Sequence, residues 1–128
     1  MADVQIRIVD WARYSEALSS LRHTVFVEEQ GVPVELELDG EDAAAWHAAA
    51  FSDDGKLIGT GRMLESGKIG RMAVSQSTRG QGIGRGLLDA LVAEARRLKF
   101  EEVSLGAQLA AVSFYENAGF MAYGDVFL

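Results

Sequence analysis

The stretch TRGQGIGRG, residues 78–86, sets four glycines directly before LLDALVAEARRL (87–98), a run with the apolar spacing of an amphipathic helix. Glycines destabilise a helix start unless something else needs them there. The start of a helix leaves backbone N–H groups unpaired and carries partial positive charge, which suits an anion. Gly80, Gly82 and Gly84 lack a Cβ, so phosphate oxygens can approach the backbone, and Arg79 and Arg85 add charge-assisted donors. The plain alternative is a glycine-rich turn that holds nothing. Two familiar phosphate loops do not fit. A P-loop needs GxxxxGK[ST], yet after these glycines no lysine occurs before Lys99. A dinucleotide fingerprint needs GxGxxG, and the sixth residue is Arg85 counted from Gly80 or Leu87 counted from Gly82.

Outward from this stretch the chain reads as alternating strands and helices. Ile83, Leu87, Leu88, Leu91, Val92, Ala95 and Leu98 form one stripe, predicting a helix over about 83–98 with Arg96, Arg97 and Lys99 at its C-terminal end. KIGRMAV (68–74) precedes the loop as a strand, and EEVSLGA (101–107) follows the helix as another. Strand, helix and strand across 68–107 imply a parallel pair with a right-handed crossover. VQIRIV (4–9) alternates like a strand, and 13–26 carries Leu18, Leu21, Val25 and Phe26 at helical spacing. WHAAAFS (46–52) favours helix by its alanines. It is expected as a strand because Asp54–Gly55 turns it into KLIGTGRMLE (56–65), and Ser66–Gly67 turns that into 68–74. AAVSFYENAG (110–119) reads as a short helix capped by Gly119, and FMAYGDVFL (120–128) as a last strand. The expected fold is mixed α/β, with antiparallel N-terminal strands and a parallel pair flanked by helices.

Bulk properties set limits. The 128 residues are 48% hydrophobic, with a mean hydropathy of +0.05, which fits one domain over 1–128. Without cysteine there is no disulfide, thiol nucleophile or Cys-ligated zinc, and a reducing cytoplasm is the expected location. His23 and His47 lack metal-ligand spacing, so no metal is expected. No stretch has the length of a membrane span or the form of a signal peptide. A net charge of −7 argues against a nucleic-acid binder. The charges are segregated: Glu28, Glu29, Glu35, Glu37, Asp39, Glu41, Asp42, Asp53 and Asp54 fall in 28–54 with no Lys or Arg, while Arg62, Lys68, Arg71, Arg79, Arg85, Arg96, Arg97 and Lys99 dominate 62–99. Two ligands, one cationic and one anionic, would explain this; solvated surfaces are the plain alternative.

One frame does fit the loop: R-x-x-G-x-G, as Arg79, Gly82 and Gly84, directly after RMAV. Here the chain resembles the GNAT superfamily of N-acetyltransferases, whose [Q/R]-x-x-G-x-[G/A] loop holds the pyrophosphate of acetyl-CoA. AQLAAVSFYENAGF (107–120) is similar to a later motif of that family, and LRHTVFVEEQGVPVELELDGED with a following WH resembles a bacterial subgroup with LRxxVFxxEQ and ExDxxD signatures. The resemblance covers the chain from Val4. It implies that Arg79, Gly80, Gln81, Gly82, Ile83 and Gly84 bind the pyrophosphate, and that Met72, Ala73 and Val74 pair with the pantetheine arm. Gln108 would serve the pantetheine or the acceptor, or merely tie down a strand end. The implied activity is acetyl transfer from acetyl-CoA to an amine of a small molecule or peptide, by direct attack in a ternary complex. A catalytically idle CoA-binding module on the same fold is the alternative.

The departing thiolate needs a proton, and the Tyr115 phenol, with a pKa near ~10, can donate one at neutral pH. Core packing is its plain alternative. An amine must be neutral to attack, which draws notice to the acidic segment and to His47, which titrates near neutrality. Glu29 with Gln30 is the first choice for acceptor contact, although Arg22 is placed to pair with Glu29 structurally. The resembled fold carries two strands after its FYxxxGF helix, whereas FMAYGDVFL suffices for one. The expectation is therefore a shortened form of a longer product, or a second subunit that covers the gap in a homodimer.

Overall fold

A computed structural model describes residues 4–34 and 40–105. Strand β1 (Gln5–Val9) leads into helix α1 (Trp11–Arg22), which runs on as a π-helical turn over His23–Glu29. The helical spacing expected over 13–26 is thus real, but its last part is wound more widely. A 3₁₀ turn (Asp42–Ala44) precedes β2 (Trp46–Phe51), β3 (Leu57–Met63) and β4 (Lys68–Val74). A second 3₁₀ turn (Gln76–Thr78), helix α2 (Ile83–Arg97) and β5 (Ser104–Leu105) complete the described residues. The expected helix at 110–119 and strand at 120–128 lie outside them.

The five strands form one sheet in the order β1-β2-β3-β4-β5. The first three pairings are antiparallel, and β4 pairs with β5 in parallel at Lys68↔Ser104 and Ile69↔Leu105. This is the mixed architecture expected from the sequence. The alanines of β2 are explained by its position. Ala48 and Ala50 face α2, packing with Leu87, Leu88 and Leu91, while Ala49 faces α1 with Leu18 and Phe51. A central strand covered on both faces loses its polar alternation, and small side chains let both helices come close.

Two features place the end of β4. Opposite β3, the pairs Thr60↔Ala73 and Arg62↔Gly70 leave one extra residue on β4, and Arg71 there has φ +51°. Such a bulge sharpens the local twist and re-aims the residues that follow, here Met72–Val74. The start of α2 lies tight against β3: a Cβ on Gly59 would stand 3.0 Å from both Ile83 Cγ2 and Leu87 Cδ1. Even a methyl group at position 59 would make these two side chains give way by a few tenths of an ångström. At its other end α2 closes with Lys99 at φ +64° and the Phe100 N–H on the Ala95 carbonyl (2.9 Å).

Candidate functional site

The loop between β4 and α2 is built by local hydrogen bonds. Ser75 N–H donates to the Ile58 carbonyl (2.8 Å), and Thr78 returns both its N–H (2.9 Å) and its hydroxyl (3.0 Å) to the Ser75 carbonyl. The chain then passes Gly80 at φ +81° and Gly82 at φ +80°, and Gly82 is the N-cap of α2. A Cβ at either glycine would meet nothing within 4 Å. Backbone conformation, not crowding, therefore demands glycine, and the space beside the backbone is open. No side chain caps α2, and its first turn holds no acid. Among the described residues, no side chain brings an anion to its N-cap, where the positive end of its dipole lies. Left-handed glycines, open space and an uncapped 15-residue helix fit a pyrophosphate.

Arg79 opens this loop, and its side chain is already engaged. The Ser75 N–H and the Val74 carbonyl belong to one trans peptide and point opposite ways, so with the N–H on β3 the carbonyl faces away from it, and Arg79 Nε donates to it at 2.9 Å. The same guanidinium meets Glu29 through Nη2, 2.8 Å from Oε2. Glu29 ends the π-helical turn and Gln30 beside it is exposed. The structure thus brings the proposed acceptor side against the first residue of the glycine loop. The sequence-based alternative of an Arg22–Glu29 pair is corrected: the partner of Glu29 is Arg79.

Arg22 lies instead in a buried cluster under α1. Its Nη1 and Nη2 hold the two carboxylate oxygens of Asp42 at 2.7 and 3.2 Å, and Arg62 Nη1 meets Asp42 Oδ1 at 3.1 Å. Arg22 is 1% exposed. Burial pushes the Asp42 carboxyl upward, but the hydrogen bonds and charges of Arg22 and Arg62 outweigh it and hold the group below its ordinary value. His47, expected to meet the acceptor, is packed in the core. It lies opposite Arg62 in the β2–β3 ladder, stacks on Trp11 (4.7 Å between centroids), and has Nε2 2.9 Å from the Asp42 carbonyl. Burial lowers its pKa, opposed by the Asp42 carbonyl and charge and reinforced by Arg22 and Arg62.

The cluster gives physical content to the signature residues. The arginine of LRxxVFxxEQ, the last acid of ExDxxD and the histidine that follows are Arg22, Asp42 and His47, and they lock α1, the 3₁₀ turn and β2 together. Arg62 was not singled out by sequence reasoning. Its only signal was a charge inside an otherwise buried strand. Met72, Ala73 and Val74 follow the bulge of β4, and Ala73 is buried. Ile83 is buried and anchors α2, while Gln81 is exposed. Tyr115 and Gln108 lie outside the described residues. Among the described residues, no group of three His, Asp or Glu is placed to hold a metal ion, and no helix is long and apolar enough to cross a membrane.

This arrangement has counterparts. The family model described as an acetyltransferase (GNAT) domain matches residues 15–128. The chain belongs to this family. It is 33% identical to an acyl-CoA N-acyltransferase from Pseudomonas aeruginosa whose crystal structure superposes with a TM-score of 0.86, covering 98% of this chain and 94% of that one. It is 35% identical over 108 residues to the uncharacterized N-acetyltransferase YjcF of Bacillus subtilis, covering 82% of this chain and 76% of the relative. Protein ElaA of Escherichia coli is 32% identical over 120 residues, 87% of this chain and 77% of the relative. The crystal structure of Escherichia coli ElaA gives a TM-score of 0.84. The acyl-CoA N-acyltransferase fold is that of this protein, and acyl transfer is the activity of its family.

Proposed function

We propose that the protein moves the acetyl group of acetyl-CoA to an amine of a small molecule or peptide, by direct attack in a ternary complex in the cytoplasm. The observation that supports this most is the RGQGIG loop, with two left-handed glycines opening onto an uncapped helix at the bulged end of β4. When bound, acetyl-CoA supplies an activated acetyl thioester. In this reading the backbone amides from Arg79 to Gly84 bind the pyrophosphate, Met72, Ala73 and Val74 align the pantetheine arm, and Gln108 adds a side-chain contact to it. Glu29 and Gln30 receive the acceptor, whose cationic form suits the acidic segment. His47 serves that side by holding the 3₁₀ turn through the Asp42 carbonyl.

Transfer forms a nitrogen–carbon bond to the neutral amine and breaks the carbon–sulfur bond. The Tyr115 hydroxyl gives its proton to the leaving sulfur and is reprotonated from solvent, which also takes the surplus proton of the amine. A thiol-release assay over a panel of amines and peptides tests the reading. Turnover is expected with a cationic acceptor, falling on the order of 10²-fold in Tyr115→Phe while CoA still binds. Full turnover in a folded Tyr115→Phe variant removes that role. CoA binding without release on any amine would make the protein an idle CoA-binding module.

A further inference from the structure

Arg79 and Glu29 are 50 residues apart, yet their side chains meet at 2.8 Å and join the two sides of the proposed site. Among the described residues, Glu29 has no second cation and Arg79 no second carboxylate. The Arg79 side chain is 42% exposed and that of Glu29 25%, so the pair is screened by solvent and contributes little. The Nε bond to the Val74 carbonyl keeps the guanidinium at the end of β4 whatever Nη2 holds. A pyrophosphate on the glycine loop would bring negative charge to this same guanidinium, where the helix end already favours anions. One weakly held cation then faces two rival anions.

On the acetyl-CoA reading above, we propose that the Glu29 carboxylate and the cofactor pyrophosphate compete for Arg79, so that cofactor uptake frees Glu29 for a cationic acceptor. Glu29 then acts as a positioning residue that couples the two binding events. Because binding free energies are linked, an acceptor that holds Glu29 also favours the cofactor. A merely structural tie makes the opposite prediction, since cutting it would loosen the loop and weaken CoA.

The test is calorimetric titration with CoA of the wild type, Glu29→Gln, Arg79→Gln and the double variant. Glu29→Gln keeps the shape of the side chain and removes the rival charge. It is expected to bind CoA about two- to fivefold more tightly, the scale of a half-exposed ion pair. In the Arg79→Gln background the same change should have no effect. Unchanged or weaker binding by Glu29→Gln overturns the competition. So does equal tightening in both backgrounds, which would mean repulsion that bypasses Arg79. A wild-type protein that binds no CoA overturns the acetyl-CoA reading, and this inference with it.

Discussion

The Arg22–Asp42 and Arg79–Glu29 contacts are of similar length and opposite character. Arg22 grips Asp42 at 2.7 Å in the interior, where Arg62 also reaches the carboxylate. Arg79 meets Glu29 at 2.8 Å where water reaches both. Distance is not what separates them; solvent is. In the interior a removed partner leaves charge with no water to replace it, so the contact is fixed. At the surface water replaces either partner, so the contact is exchangeable. The fixed cluster ties α1 to the sheet, and the exchangeable pair sits at the loop proposed to bind a changing ligand. Their roles follow from where the fold places them.

The largest effect is expected at Asp42. Asp42→Ala removes the carboxylate that both Arg22 and Arg62 hold, and stability is expected to fall by about 3–5 kcal/mol in urea unfolding. A loss comparable to that of a surface substitution would show that the cluster is not fixed. The next effect is a pH slope from His47. Its pKa is lowered in the folded protein by burial, so the unfolded chain takes up a proton first as pH falls. Stability is then fully present above the unfolded value of about 6.5 and declines as pH drops from there toward the folded value. Urea midpoints at pH 7.5 and 5.5, measured on the wild type and on His47→Gln, should show that decline shrinking in the variant. The smallest effect belongs to the exposed pair: Arg79→Gln should change stability by less than about 1 kcal/mol, whatever it does to CoA binding. A loss as large as that of Asp42→Ala would erase the distinction.

Some of this could be read from the chain and some could not, for physical reasons. The stripe from Ile83 to Leu98 is a local, periodic signal, and α2 formed within a residue of the expected bounds. The strand at Trp46–Phe51 was legible only through its neighbours, because Ala48, Ala49 and Ala50 have helical propensity and the reason for them is burial on both faces of the sheet. The place of the glycine loop, between a strand and an amphipathic helix, was legible from its composition, whereas its 3₁₀ turn and the contacts of Arg79 were not. The ion pairs were not. Arg22 and Arg62 each lie 20 residues from Asp42, and Glu29 lies 50 from Arg79. Contacts at such separations are made by the sheet, not by spacing. Asp42 therefore looked like one acid in a solvated run, and His47 looked available to a ligand until β2 carried it under Trp11.

The glycine loop is the proposed seat of the cofactor, and Gly82 tests that role most directly. Gly82 stands at φ +80° with open space where a Cβ would be, so Gly82→Val disturbs the loop's conformation and obstructs the approach to its amides without crowding the core. Titrating CoA into the wild type and Gly82→Val by calorimetry should show binding weakened tenfold or more, roughly 1.4 kcal/mol, in a variant that keeps its fold. Equal CoA affinity in the two proteins would contradict the assignment.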